Sequence, residues 1–159
     1  MGQKAKALAD RFASLHGEMI SFIENCSDED WKKLCPGENW PIGVVTRHMA
    51  GIHYSLVDLA KNLVAGVVLP EMSMEAIDAL NAQHAEEHAD CTKEEILGML
   101  RDNGPSHTEF ISGLSDEDLN KTAAFSLTGG EVSPKQLIKI TINGCTEHLT
   151  NIKGAISKY

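Results

Sequence analysis

Seven histidines are the main chemistry-bearing side chains of this 159-residue chain. His148 falls on a stripe of Leu137, Ile140, Thr141, Gly144, Ile152 and Ala155, spaced by three and four residues, so one helix face carries them all. An imidazole that points into a protein needs a hydrogen bond, a carboxylate or a metal ion. His48 borders a second stripe, made of Val45, Met49, Ile52, Leu56, Leu59 and Leu63. Two inward imidazoles on facing helices of a bundle suit a divalent ion, and neutral imidazole suits zinc, nickel and iron.

A third ligand is harder to place. Helices often pair ligands at i and i+4, but the residue four before His148 is Gly144, and Asn143 and Glu147 only flank the face. His53 follows His48 by five residues. On a regular helix, at ~100° per residue, that spacing sets the two rings about 140° apart, so at most one of them reaches an interior site. His53 and His84 are the candidates to complete the shell. His84 and His88 share a helix face in the string His-Ala-Glu-Glu-His, which fits the inverted zinc-peptidase pattern, but the Ala, Gln and Glu around them predict a solvated helix end. His107 is expected to be exposed and His16 partly exposed. No Gly-x-Ser-x-Gly and no phosphate-cradling glycine loop is present, so no catalytic nucleophile and no organic cofactor site can be assigned.

The elements that must position these residues are helical. Residues 4–25 carry Leu8, Phe12, Leu15, Met19, Phe22 and Ile23 on one face. Residues 41–65 form the second long helix, started by Pro41. The third opens at a capping box, Thr92 with Glu95, and Gly104-Pro105 predicts a kink or break within it. The fourth, residues 133–159, opens at Ser133 with Gln136, and Pro134 takes the first helical position. Residues 74–88 read as a short extra helix between helices 2 and 3. Ser-Asp-Glu-Asp occurs at 27–30 and again at 115–118, each time before a loop and a Pro-led helix bearing an inward histidine, which suggests an internal pseudo-repeat. Trp31 and Leu34 are expected to tuck onto the core, and a brief apolar run near Phe125 is the nearest approach to a strand. The expected fold is all-α, an up-and-down-type four-helix bundle in a single domain spanning 1–159.

Composition narrows the partners. The net charge is -9 with no basic cluster, which argues against nucleic acid and anionic membranes. No signal peptide or membrane-spanning run is read. Cys26, Cys35, Cys91 and Cys145 form no Cys-x-x-Cys pair, so reduced, buried thiols in a cytoplasmic protein are expected. A cationic or neutral small molecule, or a second copy of the chain as a homodimer, remains as partner.

Several motifs carry a family resemblance: Glu38-Asn-Trp-Pro41 leading to His48, Asn81 before the Thr92 capping box, the acidic turn at 115–119, and Glu147-His-Leu-Thr-Asn-Ile152 at the close. In these the chain resembles the DinB-like superfamily of four-helix metal-binding bundles, which includes mycothiol-dependent maleylpyruvate isomerase and bacillithiol and glutathione-type transferases. The resemblance implies a nickel or zinc ion held by His48 and His148, a low-molecular-weight thiol as partner, and activity as a metal-dependent thiol S-transferase or hydrolase. The family's middle ligand falls on Gly144, a departure that leaves the triad degenerate. That vacancy favours the alternative, a non-catalytic bundle that binds a small ligand or dimerises.

Overall fold

The structure, a computed structural model, describes residues 2–156. Its long helices are α1 (Gln3–Asn25), the pair α3 (Ile42–His48) and α4 (Tyr54–Val64) joined by a π-helical turn (Met49–His53), α6 (Lys93–Ser112) and α8 (Pro134–Gly154). Short helices α2 (Asp28–Trp31), α5 (Met74–Glu87) and α7 (Asp116–Asn120) lie in the connections. Two small antiparallel hairpins, β1 (Leu34–Cys35) with β2 (Trp40–Pro41) and β3 (Ala123–Phe125) with β4 (Gly130–Val132), precede α3 and α8. The helix starts follow from local chemistry. Ser27, Ser73, Thr92, Ser115 and Ser133 each accept a hydrogen bond from an N–H of the first turn, and the last three complete capping boxes.

The four long helices pack as a bundle around Phe12, Met19, Ile23, Met49, Tyr54, Leu100, Ile111 and Leu137, all under 2 % exposed. Side-chain pairs set the helix directions. Arg101 bonds Glu24 at 2.8 Å while Phe12 meets His107, so α1 and α6 are antiparallel. Gly51 faces Met99 and Asp58 bonds His107, so the α3–α4 rod runs parallel to α6. His48 meets His148 while Thr141 bonds His53, which makes α8 antiparallel to that rod. Thus α1 and α8 run one way and the middle two rods the other. The long link carrying α5 returns the chain between those two parallel neighbours.

Several expectations are corrected. Gly104-Pro105 does not break α6, which runs through it. A Cβ at Gly104 would overlap the His16 ring, so the glycine serves packing between α1 and α6. Ile140, placed inward from periodicity, and Leu34, expected to tuck onto the core, are 45 % and 57 % exposed. The buried stripe of α8 is Leu137, Ile138, Thr141, Ile142, Cys145, Leu149 and Ile152. His148 lies at its edge, which frees its ring to face the second rod. All four cysteines are buried and none is in a disulfide, and Trp31 is buried. Among the described residues no helix is long and apolar enough to cross a membrane.

Candidate metal centre

His48 closes α3 and His53 closes the π turn that follows. In a π turn the hydrogen bonds run from i to i+5, so residues five apart stack much as residues four apart do in an α-helix. The two rings therefore lie on the same face, 4.8 Å apart at an interplanar angle of 82°. The expectation that at most one of them reaches the interior fails because the helix is not regular there. Thr141 Oγ1 from α8 lies 3.1 Å from the His53 carbonyl oxygen and 3.1 Å from that of Leu137 in its own helix, so its one proton is shared between them.

α8 brings His148 to the same place. Its ring lies 5.1 Å from that of His48 and 4.9 Å from that of His53. The Nε2 atoms of His53 and His148 are 3.1 Å apart, and one donor atom from each of the three residues lies within 4.8 Å of the others. Two nitrogens bound to one tetrahedral zinc are about 3.3 Å apart at Zn–N distances of ~2.0–2.1 Å. The spacing seen for His53 and His148 is close to that value.

The Gly144 position now has a physical account. A Cβ there would lie 2.6 Å from Nδ1 of His53, so the His53 ring fills the space a side chain at 144 would take. A side chain at 144 and the His53 ring exclude one another, and in this chain the space is taken by the imidazole from the second rod. Asn143 and Glu147 are exposed and take no part.

Behind His148 stands Glu38, on the turn between β1 and β2. Its Oε1 accepts from His148 Nδ1 at 2.7 Å and from Asn151 Nδ2 at 2.8 Å, and its Oε2 accepts from the Cys35 thiol at 2.6 Å. Burial opposes ionisation of Glu38, but hydrogen bonds from Asn151, Cys35 and His148 outweigh it and hold the carboxyl below its ordinary range. An ionised Glu38 keeps the proton of His148 on Nδ1, so the Nε2 lone pair faces the other two imidazoles. This is the carboxylate–histidine arrangement that orients metal ligands. Asn39 holds the turn with a φ of 59°, a left-handed conformation that asparagine tolerates.

Burial, reinforced by neighbouring imidazoles, pushes His48 down to about 3 and His53 down to about 4. Both are neutral near pH 7 and offer lone pairs. Nδ1 of each is buried without a hydrogen-bond partner, as is Nδ1 of His107 in the Phe12–Tyr54 cluster. Trp40 packs edge-on against His48 at 5.2 Å and walls the centre.

His84, the other candidate third ligand, was expected at a solvated helix end. It is instead buried at 7 % exposure, its ring 5.8 Å from that of His48. It lies beside the three-donor group and outside it. His107 is likewise buried, at 3 % exposure, and bonds Asp58 at 3.2 Å. His16 is half-buried as expected. The residue–role pairs that sequence reasoning missed are Glu38 on His148, Asn151 and Cys35 on Glu38, and Thr141 on the π turn. Glu38 stood out only as part of a motif, and no local pattern marks the others.

No protein-family model matches the sequence, and no curated protein does. A solved structure is similar: YfiT from Bacillus subtilis, described as a probable metal-dependent hydrolase with an unusual four-helix bundle topology. The TM-score is 0.78, covering 98% of this chain and 87% of that one, at 11% sequence identity. What that likeness establishes is the fold, a four-helix bundle followed over nearly the whole described chain.

Proposed function

We propose that this chain is a DinB-like protein that binds one divalent transition ion through His48, His53 and His148, as a metal-dependent hydrolase or thiol S-transferase. The supporting observation is the convergence of three imidazoles with Glu38 hydrogen-bonded behind one of them. Three nitrogen donors with an open face form the pattern of a catalytic rather than a structural zinc site, and nickel accepts the same donors. A bound ion supplies Lewis acidity there and acidifies a water or thiol at its open face. The chain's own residues do the rest. Glu38 fixes the tautomer of His148, the π turn sets the angle of His53 to His48, and Trp40 limits water on one side. The structural likeness to a probable metal-dependent hydrolase agrees with the hydrolase reading. A low-molecular-weight thiol as co-substrate is the finer form of the proposal.

The test is elemental analysis of protein purified without a histidine tag and supplied with nickel or zinc. One ion per chain is expected, with loss of that ion in His48→Ala, His53→Ala and His148→Ala. A parent chain that takes up neither metal above background removes the proposal. Hydrolysis of activated esters and thiol transfer with a panel of bacterial thiols then separate the two activities.

A further inference from the structure

Arg47 precedes the first of the three imidazoles and is half-buried. Its guanidinium has no hydrogen bond or ion pair with any other described residue. It lies against the π turn: a Cβ at Gly51, midway between His48 and His53, would overlap Nη1 of Arg47. Its charge also reaches His84, where it adds to burial in favouring the neutral ring.

His84 brings further unmet hydrogen-bonding capacity. Both of its ring nitrogens are buried without a partner, and so is Oδ1 of Asn81, three residues earlier on the same face of α5. Unpaired buried polar atoms are costly, and three together on one short helix beside a guanidinium suggest a missing ligand. The electrostatics give its sign. Although the whole chain carries a net charge of -9, among the described residues Glu38 is the one carboxylate hydrogen-bonded to any of the three imidazoles, through His148, and Arg47 together with a divalent ion outweighs it. Glu87, whose charge also reaches His84, is exposed and hydrogen-bonded to Gln83. A locally positive site attracts anions even in an acidic protein.

We infer that the centre takes a small substrate carrying an oxyanion, a carboxylate or a phosphate, which Arg47 and His84 receive beside the three imidazoles. The inference rests on the metal reading above. The guanidinium fork matches either anion with two parallel N–H donors. A neutral His84 adds one N–H donor, and Asn81 Oδ1 accepts from a hydroxyl or amine elsewhere on the ligand. α5 is thus the specificity element, covering the ion's neighbourhood without supplying a ligand to it.

The experiment uses the full chain loaded with cobalt(II), whose visible spectrum reports changes at the ion. Acetate and inorganic phosphate are titrated separately, with ion content measured on the same samples. The parent should give a saturable spectral change with at least one of them, and the preferred anion identifies the class. Arg47→Met should keep its cobalt and weaken that binding by about tenfold or more. Arg47→Lys should recover part of it, and His84→Gln should weaken it less than Arg47→Met does. A loaded parent that responds to neither anion, or an Arg47→Met protein that binds as tightly as the parent, overturns the inference and leaves the metal reading intact. Failure of the parent to take up cobalt removes both.

Discussion

The bundle holds two buried histidine clusters of unlike character. In one, His16 Nδ1 meets the Tyr54 hydroxyl at 2.8 Å, His107 Nε2 meets Asp58 at 3.2 Å, and Phe12 packs among them. One ring nitrogen of each imidazole there has a partner of another type, while Nδ1 of His107 is buried without one. In the other, three imidazoles face one another, and Glu38 is the one carboxylate that meets them. The clusters join at adjacent residues, His53 and Tyr54, which leave the π turn toward different sides. Burial and residue type are shared, so neither marks a metal centre. What sets the second cluster apart is three imidazoles that face one another, with His53 Nε2 and His148 Nε2 within hydrogen-bond distance.

Substitutions should separate the clusters. The largest effect is expected for His48→Ala or His148→Ala, which should weaken nickel or zinc binding by roughly 100-fold or more, while His16→Ala and His107→Ala leave ion content unchanged. Competition titration against a chromophoric chelator checks this. Loss of the ion from His107→Ala would erase the distinction between clusters.

Gly144 allows a sharper test. Gly144→Ala places a methyl group on the His53 ring and should weaken the ion by about 10–100-fold, although alanine favours the helix by up to ~1 kcal/mol. The pair His53→Gly with Gly144→His should restore one ion per chain by moving the third ligand from the second rod to α8. Should the double variant bind no better than His53→Gly alone, the exclusion between positions 53 and 144 is not what places His53. Glu38→Gln should cost about 10-fold in affinity through loss of His148 orientation, the lower end of the usual effect for such partners.

Acid should act on both clusters in the same direction, because burial lowers His16 and His107 as well. In metal-free protein, His48 and His53 stay neutral in the fold down to about 3 and about 4. The unfolded chain binds protons at both near the ordinary 6.5. Between those limits the unfolded state holds more protons, so stability rises with pH and falls as pH drops below about 6.5. Each imidazole contributes up to about 1.4 kcal/mol per pH unit. Denaturant unfolding at pH 7, 6 and 5 measures the slope, which should shrink in His48→Gln. The smallest change is expected for His107→Phe. It should alter stability by about 1–3 kcal/mol through loss of the Asp58 bond, with no change in ion content.

Local order was readable in the residues. Ser and Thr caps, three capping boxes and apolar spacing marked nearly every helix, including α5. The pairing of His48 with His148 was also readable, because both sit beside inward stripes of long helices. His53 was not, because the argument assumed one angular step per residue through 41–65. Gly51 is the one local trace of the irregularity, and a lone glycine within a helix says only that the position is permissive. His84 and His107 were misplaced for another reason. Their sequence neighbours are polar, and burial depends on what packs over them from α3–α4 and α1.

The chain's linear order settles where helices start, which residues share a face, and that imidazoles are plentiful on those faces, because caps and periodicity act over a few residues. It could not settle which imidazoles meet. That depends on a π turn stabilised from α8 by Thr141, on the space left at Gly144, and on a hairpin that carries Glu38 to a histidine 110 positions away. These are contacts between distant segments, and they exist only once the rods have packed.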